Sequence, residues 1–214
     1  MKDIVIIGAG GLGREVAWLI EDINKNKREW NILGFVDDNI QKGKVVNGYE
    51  VLGNIKLIEK AKGIYYTCAI ADVRNRKRIV EKLENNLEIK AATLIHPSTY
   101  IDYTHTTLGE GCIVCAGSVI SVNTKISRFN IVDWNCTIGH DVLCKDFVTL
   151  YPGVNISGYC TICECVEIGT GVKIIQKKMI GKNSIVGAGS VIIKDIKENV
   201  TVVGVPGKII SSFQ

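Results

Sequence analysis

From Leu108 to Ile192 every sixth residue is apolar. The column reads Leu108, Val114, Ile120, Ile126, Val132, Ile138, Cys144, Leu150, Ile156, Ile162, Ile168, Ile174, Ile180, Val186 and Ile192, with Cys144 the one member that is not aliphatic. Four residues after each member a small or β-branched side chain recurs, as at Cys112, Ser118, Thr124, Cys136, Val142 and Val148; Asn130 and Lys178 break this second column. A helix repeats near 3.6 residues and a half-buried strand near 2. A sustained period of six fits neither. It belongs to a solenoid whose coils stack one aliphatic column on each of three faces. Upstream the period continues through Ile95 and Ile101 after a slip of one residue.

Over residues 93–195 this pattern resembles the left-handed parallel β-helix of the hexapeptide-repeat acyltransferases. The resemblance implies coils of eighteen residues, so that residues eighteen apart lie above one another. That register bears on the eight cysteines. No segment approaches the roughly 18 apolar residues of a membrane helix, and the apolar run in "MKDIVIIGAGG" is too short for a signal peptide. The expectation is a cytoplasmic protein with no membrane insertion, whose thiols stay reduced. "CIVC" (112–115) and "CTICEC" (160–165) have the spacing of zinc sites. Yet Cys112, Cys136 and Cys160 follow one another at intervals of 24 residues, one coil plus one face. Cys115 and Cys163 likewise fall on different faces. A local site of Cys160, Cys163 and Cys165 lacks the fourth ligand of a tetrahedral centre. The cysteines read as small core residues, and no metal is expected.

The first 90 residues follow another rule. Strand-like runs at 3–8, 31–38 and 63–72 alternate with helical patterns at 14–23 and 73–86, where Val16, Leu19, Ile20 and Ile23 share one face. Such alternation predicts a parallel α/β sheet. "GAGGLG" (8–13) places Gly8, Gly10 and Gly13 in G-x-G-x-x-G spacing between a strand and a helix. Glycines let the backbone approach a phosphate, and the helix start offers free N–H groups. Asp37 ends the second strand, where an acid can bond a ribose hydroxyl. A domain ending near residue 90 is too short for a full dinucleotide fold, so a half-Rossmann-like βαβαβ unit binding one nucleotide fits better than an NAD site.

Read together, "GAGGLGRE" (8–15), "GFVDD" (34–38), "CAIAD" (68–72) followed by Arg76, "LIHPST" (94–99) and the hexapeptides are similar to the nucleotide-sugar and sialic acid O- or N-acetyltransferases. These bacterial enzymes acetylate sugars for surface glycans. The resemblance spans the chain and implies a nucleotide-sugar domain (1–92), a β-helix acyltransferase domain (93–199) and a C-terminal tail (200–214). It places the nucleotide at Gly11, Leu12, Gly13, Asp37 and Asp38. Leu12 stands where the family often has histidine, and Ala71 where it usually has glycine.

"NCTIGHDV" (135–142) carries one of only three histidines. His140 lies two residues beyond the inward Ile138, outside the aliphatic column. Its position alone fits a solvated corner as well as a catalytic base. Acyl transfer from a thioester needs a base of near-neutral pKa, and a neighbouring acid such as Asp141 can fix the imidazole tautomer. The resemblance implies His140 as base, Asp141 as its partner, and the N–H of Gly158, one coil on, as oxyanion donor. His96 belongs to the junction between domains, and His105 sits one residue short of two coils below His140. Three histidines with one in the wrong domain do not make a carbonic-anhydrase-like metal centre.

The resemblance further implies acetyl-CoA as co-substrate, bound between solenoids of a homotrimer, with contacts at Thr149, Thr170, Ala188, Gly189 and Lys208. Thr149 replaces the family's histidine or asparagine. Seven lysines from Lys173 onward face only Asp195 and Glu198. Lys208, with Lys177 or Lys194, suits the CoA phosphates, although each lysine alone reads as a solvated side chain. A formal net charge of +4 is too mild to indicate nucleic acid. The expected activity is acetylation of the amine of a nucleotide-linked amino sugar. O-acetylation of a sugar, sialic acid or serine stays open, as does a β-helix that only binds nucleotide.

Overall fold

The alternating apolar runs of the first 90 residues become the middle of one sheet. In the computed structural model, which describes residues 1–213, β1 (Lys2–Ile7), β2 (Trp30–Val36), β3 (Val45–Val46), β4 (Tyr49–Gly53), β5 (Tyr65–Cys68) and β6 (Lys90–Ala91) are ordered β3-β4-β2-β1-β5-β6. Every pairing is parallel except the β3–β4 hairpin. Helix α1 (Gly11–Asn26) buries Val16, Ala17, Leu19 and Ile20, the predicted face apart from the half-buried Ile23. A short α2 (Lys56–Glu59) precedes α3 (Val73–Leu83). Asp72 caps α3 by accepting the Asn75 N–H at 2.6 Å, which satisfies one of the free donors of its first turn. The hairpin and α2 are too short to announce themselves by periodicity.

The chain divides at Pro97/Ser98. The second unit is a parallel β-solenoid of two-residue strands joined by tight corners. One sheet stacks the strands at 100–101, 119–120, 137–138, 155–156, 173–174 and 191–192, and a second those at 107–108, 125–126, 143–144, 161–162 and 179–180. The third holds 113–114, 131–132, 149–150, 167–168, 185–186 and Val200–Val203, edged by the antiparallel strand Lys208–Ser212. Register is eighteen residues: Ile113 pairs with Ile131, Ile120 with Ile138, Ile126 with Cys144. On the first coil Ile101 pairs with Ile120, nineteen on, and the corner at 102–106 takes up the slipped residue.

From Val114 to Ile192 every member of the aliphatic column is at most 2% exposed. Each such burial is worth about 1.5–3 kcal/mol. The second column has its own physical reason. Its hydroxyl side chains donate to a corner carbonyl fifteen residues on, Ser118 Oγ to Asp133 O at 2.8 Å and Thr124 Oγ1 to Gly139 O at 3.0 Å, while valines such as Val142 and Val148 fill the same place by packing alone. Cysteines donate as the hydroxyls do, with Cys112 Sγ 3.0 Å from Ser127 O, Cys136 Sγ 3.3 Å from Tyr151 O and Cys160 Sγ 3.2 Å from Ile175 O. These three thiols therefore serve as corner donors as well as fillers, each leading into a different sheet. Asn130, the apparent misfit, donates to Ser127 O and Lys145 O and accepts the Val148 N–H.

Candidate active site

In the first unit the turn after β1 is built by two glycines. Gly8 has φ +96°, and a Cβ on Gly13 would stand 1.9 Å from the Gly8 carbonyl oxygen, so α1 can approach β1 this closely only with glycine there. Gly10 and Gly11 have open space around them. Asp37 holds this loop, its carboxylate accepting the N–H groups of Ala9 and Asn39 at 2.9 and 2.8 Å, while Asp38 accepts the Ile55 N–H at 3.0 Å. A cleft of about 230 Å³ is lined by Gly8, Asp37, Asp38, Asn75, Arg78 and Lys82 among others. It takes in both predicted acids but none of Gly11, Leu12 and Gly13; Gly13 is buried against Gly8. Arg78 and Lys82 are residues that the sequence motifs did not single out. The signal was available in "VRNRKRIVEK", where a cationic helix face follows directly on the strand end.

Arg76 is 1% exposed, and its guanidinium donates to the carbonyls of Ile70 at 2.6 Å and Ala71 at 3.0 Å. It fixes the strand end that carries Ile70 into the cleft. His96 stands just before the Pro97/Ser98 division, its Nε2 3.3 Å from Asp22 Oδ2 of α1.

In the second unit His140 and Asp141 form the corner between the 137–138 and 143–144 strands. Asp141 adopts φ +57°, a left-handed conformation that Asp tolerates better than most residues. This turn directs its carboxylate back, Oδ2 lying 2.9 Å from His140 Nδ1. A carboxylate only accepts, so in the neutral ring Nδ1 carries the proton and Nε2 presents its lone pair. Nε2 has no protein partner among the described residues, and the side chain is 50% exposed. The backbone of the next coil passes against the ring. A Cβ on Gly158 would meet Cε1 and Nε2 at 2.6 Å, so glycine is what leaves room for the imidazole. Among the described residues the Gly158 N–H has no acceptor. Tyr159 completes the corner, its ring 5.0 Å from the imidazole at 88°.

Thr170, Ala188 and Gly189 stack on a different corner, with Gly189 N–H donating to Thr170 O at 2.8 Å. That corner joins the third sheet to the first, whereas His140 joins the first to the second, so the two edges of one sheet separate them. All three residues are exposed, as is Lys208 at the start of the last strand. Thr149 is only 1% exposed. His105 pairs with Asp102 at 2.8 Å, on the corner column of His140 but two coils below it.

Known proteins share this fold. Residues 3–83 match the PglD N-terminal domain. The GDP-perosamine N-acetyltransferase of Escherichia coli O157:H7 is 35% identical over 186 residues, covering 86% of this chain and 82% of that protein. The crystal structure of PerB from Caulobacter crescentus in complex with CoA and GDP-perosamine superposes with a TM-score of 0.89 at 26% identity, covering 99% of this chain and 98% of that one. The acetyltransferase domain of PglB from Neisseria gonorrhoeae FA1090 in complex with acetyl coenzyme A gives 0.88 at 32% identity, covering 98% and 99%. On its six-residue solenoid and this relationship along nearly its whole length, the chain belongs to the hexapeptide-repeat acyltransferase family, with the nucleotide-sugar acetyltransferases.

Proposed function

We propose that the corner at His140 is the catalytic centre of an acetyl-CoA-dependent enzyme that N-acetylates the amine of a nucleotide-linked amino sugar. One observation carries this: an imidazole whose Nδ1 is fixed by Asp141 lies beside the backbone of Gly158, and among the described residues neither its Nε2 nor the Gly158 N–H has a partner. Nε2 takes a proton from the sugar amine as its nitrogen attacks the thioester carbonyl. The Gly158 N–H bonds the oxyanion of the tetrahedral intermediate, and Asp141 stabilises the imidazolium. Collapse breaks the C–S bond, and the imidazolium returns its proton to the CoA sulfur. The products are an amide and free CoA.

In this reading acetyl-CoA meets Thr170, Ala188 and Gly189 through backbone groups and Lys208 through its phosphates; the contact expected at Thr149 drops out, because that residue is 1% exposed. The nucleotide occupies the cleft at Asp37 and Asp38, with Arg78 and Lys82 facing its diphosphate and the open Gly11 and Leu12 at the loop. A left-handed coil and a homotrimer complete the reading. What supports the trimer is that one chain sets the His140 corner and the Thr170 corner on opposite edges of a sheet, so a site that uses both corners needs a neighbouring copy. The place of the product is surface glycan synthesis.

The test is a panel of UDP-, dTDP-, GDP- and CMP-linked amino sugars, with the corresponding hydroxy sugars and serine, incubated with acetyl-CoA and followed by release of CoA thiol. The expected outcome is turnover with an amino sugar and its loss in His140→Ala. Turnover with hydroxy acceptors alone makes the enzyme an O-acetyltransferase. No turnover with any acceptor, or full turnover by the alanine variant, overturns the mechanism.

A further inference from the structure

We infer that Tyr159 is a positioning residue for His140, holding the imidazole in its productive orientation; this rests on the reading of His140 as the base. Tyr159 stands eighteen residues after Asp141, on the same corner one coil on, and its N–H donates to the His140 carbonyl at 3.0 Å. Its backbone is left-handed, with φ +60°, where a bulky side chain is disfavoured. Two coils below, Asn123 fills this corner position with φ +56°, the inexpensive choice. Tyr159 is 56% exposed, so burial does not explain it. Its hydroxyl has no hydrogen-bond partner among the described residues, so the hydroxyl does not explain it either. What the ring does touch is the imidazole, edge to face.

The half-exposed imidazole is thereby enclosed on three sides. Asp141 holds Nδ1, Gly158 lies flush with the ring, and Tyr159 stands across it at a right angle. Asp141 alone fixes one nitrogen and leaves the ring free to swing about that contact. Tyr159 removes that freedom and keeps Nε2 beside the Gly158 N–H. An aromatic contact of this geometry supports a three- to roughly tenfold bias in orientation.

Tyr159→Asn keeps a residue suited to the left-handed corner, and Tyr159→Phe keeps the ring. With the best acceptor of the panel, Tyr159→Asn is expected to lower kcat about three- to tenfold with both KM values unchanged, and Tyr159→Phe to restore at least half of it. In the free protein the His140 ring proton signals, identified by their absence in His140→Asn, are expected to be displaced by the tyrosine ring and to shift back in Tyr159→Asn. Unchanged kcat in Tyr159→Asn overturns the proposal. So does a rise in the acceptor KM at constant kcat, which assigns the ring to substrate contact. A wild-type protein inactive with every acceptor sinks the transferase reading instead, and the ring signals then decide the contact by themselves: an undisplaced His140 signal overturns it.

Discussion

Gly158 and His140, on consecutive coils, are packed so closely that the imidazole fills the space a Cβ at Gly158 would need, 2.6 Å from both Cε1 and Nε2. The backbone at Gly158 is not left-handed, so alanine fits the chain, and the three atoms its Cβ meets first all belong to the ring. Gly158→Ala is therefore expected to fold with an unchanged Tm while pushing Nε2 out of place. A displacement of this size costs on the order of 10²-fold in kcat. Steady-state rates alongside thermal melts check this, and a fully active Gly158→Ala enzyme contradicts the assigned geometry.

Asp141→Asn isolates the carboxylate. Asparagine is at ease at φ +57°, so the corner keeps its shape and Tm stays within a degree or two of wild type. The amide no longer selects the tautomer with the proton on Nδ1, nor does it stabilise the imidazolium. For this half-exposed pair a fall in kcat of about 10²-fold or more is expected, below the roughly 10⁴-fold of a fully buried triad. The acetyl-CoA KM is expected to stay constant.

The solenoid was legible because its period is fixed by covalent spacing. Ile138 falls in the core and His140 outside it by counting alone, and the count also kept Cys112, Cys136 and Cys160 off a common metal. Counting could not say what those thiols do, since the bond from Cys112 to Ser127 O depends on where a corner carbonyl points. Nor could it supply Tyr159, whose partner lies nineteen residues away across a coil boundary. In the first unit the glycine motif correctly marked a strand–turn–helix. It could not show that Gly13 is needed by Gly8 rather than by a ligand, because both uses demand the same residue. The cleft turned instead on α3: the cationic face in "VRNRKRIVEK" was legible, but that it brings Arg78 and Lys82 to the same cleft as Asp37 depends on tertiary packing.

Asn130 supplies a stability test away from the site. It is 1% exposed and makes hydrogen bonds with four backbone groups: Ser127 O, Arg128 O, Lys145 O and Val148 N–H. Asn130→Ala leaves the buried Val148 N–H without its acceptor, deprives the corner carbonyls of the amide donor and opens a small void. A loss of about 1–3 kcal/mol is expected. Urea titration reads it as a lower midpoint at unchanged slope, with kcat preserved.

The buried thiols set an alkaline limit on the fold. Burial pushes Cys68, Cys136 and Cys144 up to about 12 from an ordinary value of 9.0. Between those values the unfolded chain releases the three protons and the folded chain keeps them, so the unfolded state binds fewer protons and stability falls as pH rises. Their contribution is whole below pH 9 and is lost progressively toward 12. Each thiol adds a slope of about 1.4 kcal/mol per pH unit within that window. Cys144 offers the control, because it stands in the column that is otherwise aliphatic and Cys144→Val restores the prevailing type. Urea midpoints at pH 8 and pH 10.5 are expected to drop for the wild type and to drop less for Cys144→Val, by about one thiol's share. Equal losses in the two proteins would show that the alkaline sensitivity belongs to lysines and tyrosines at the surface rather than to the cysteine-lined interior.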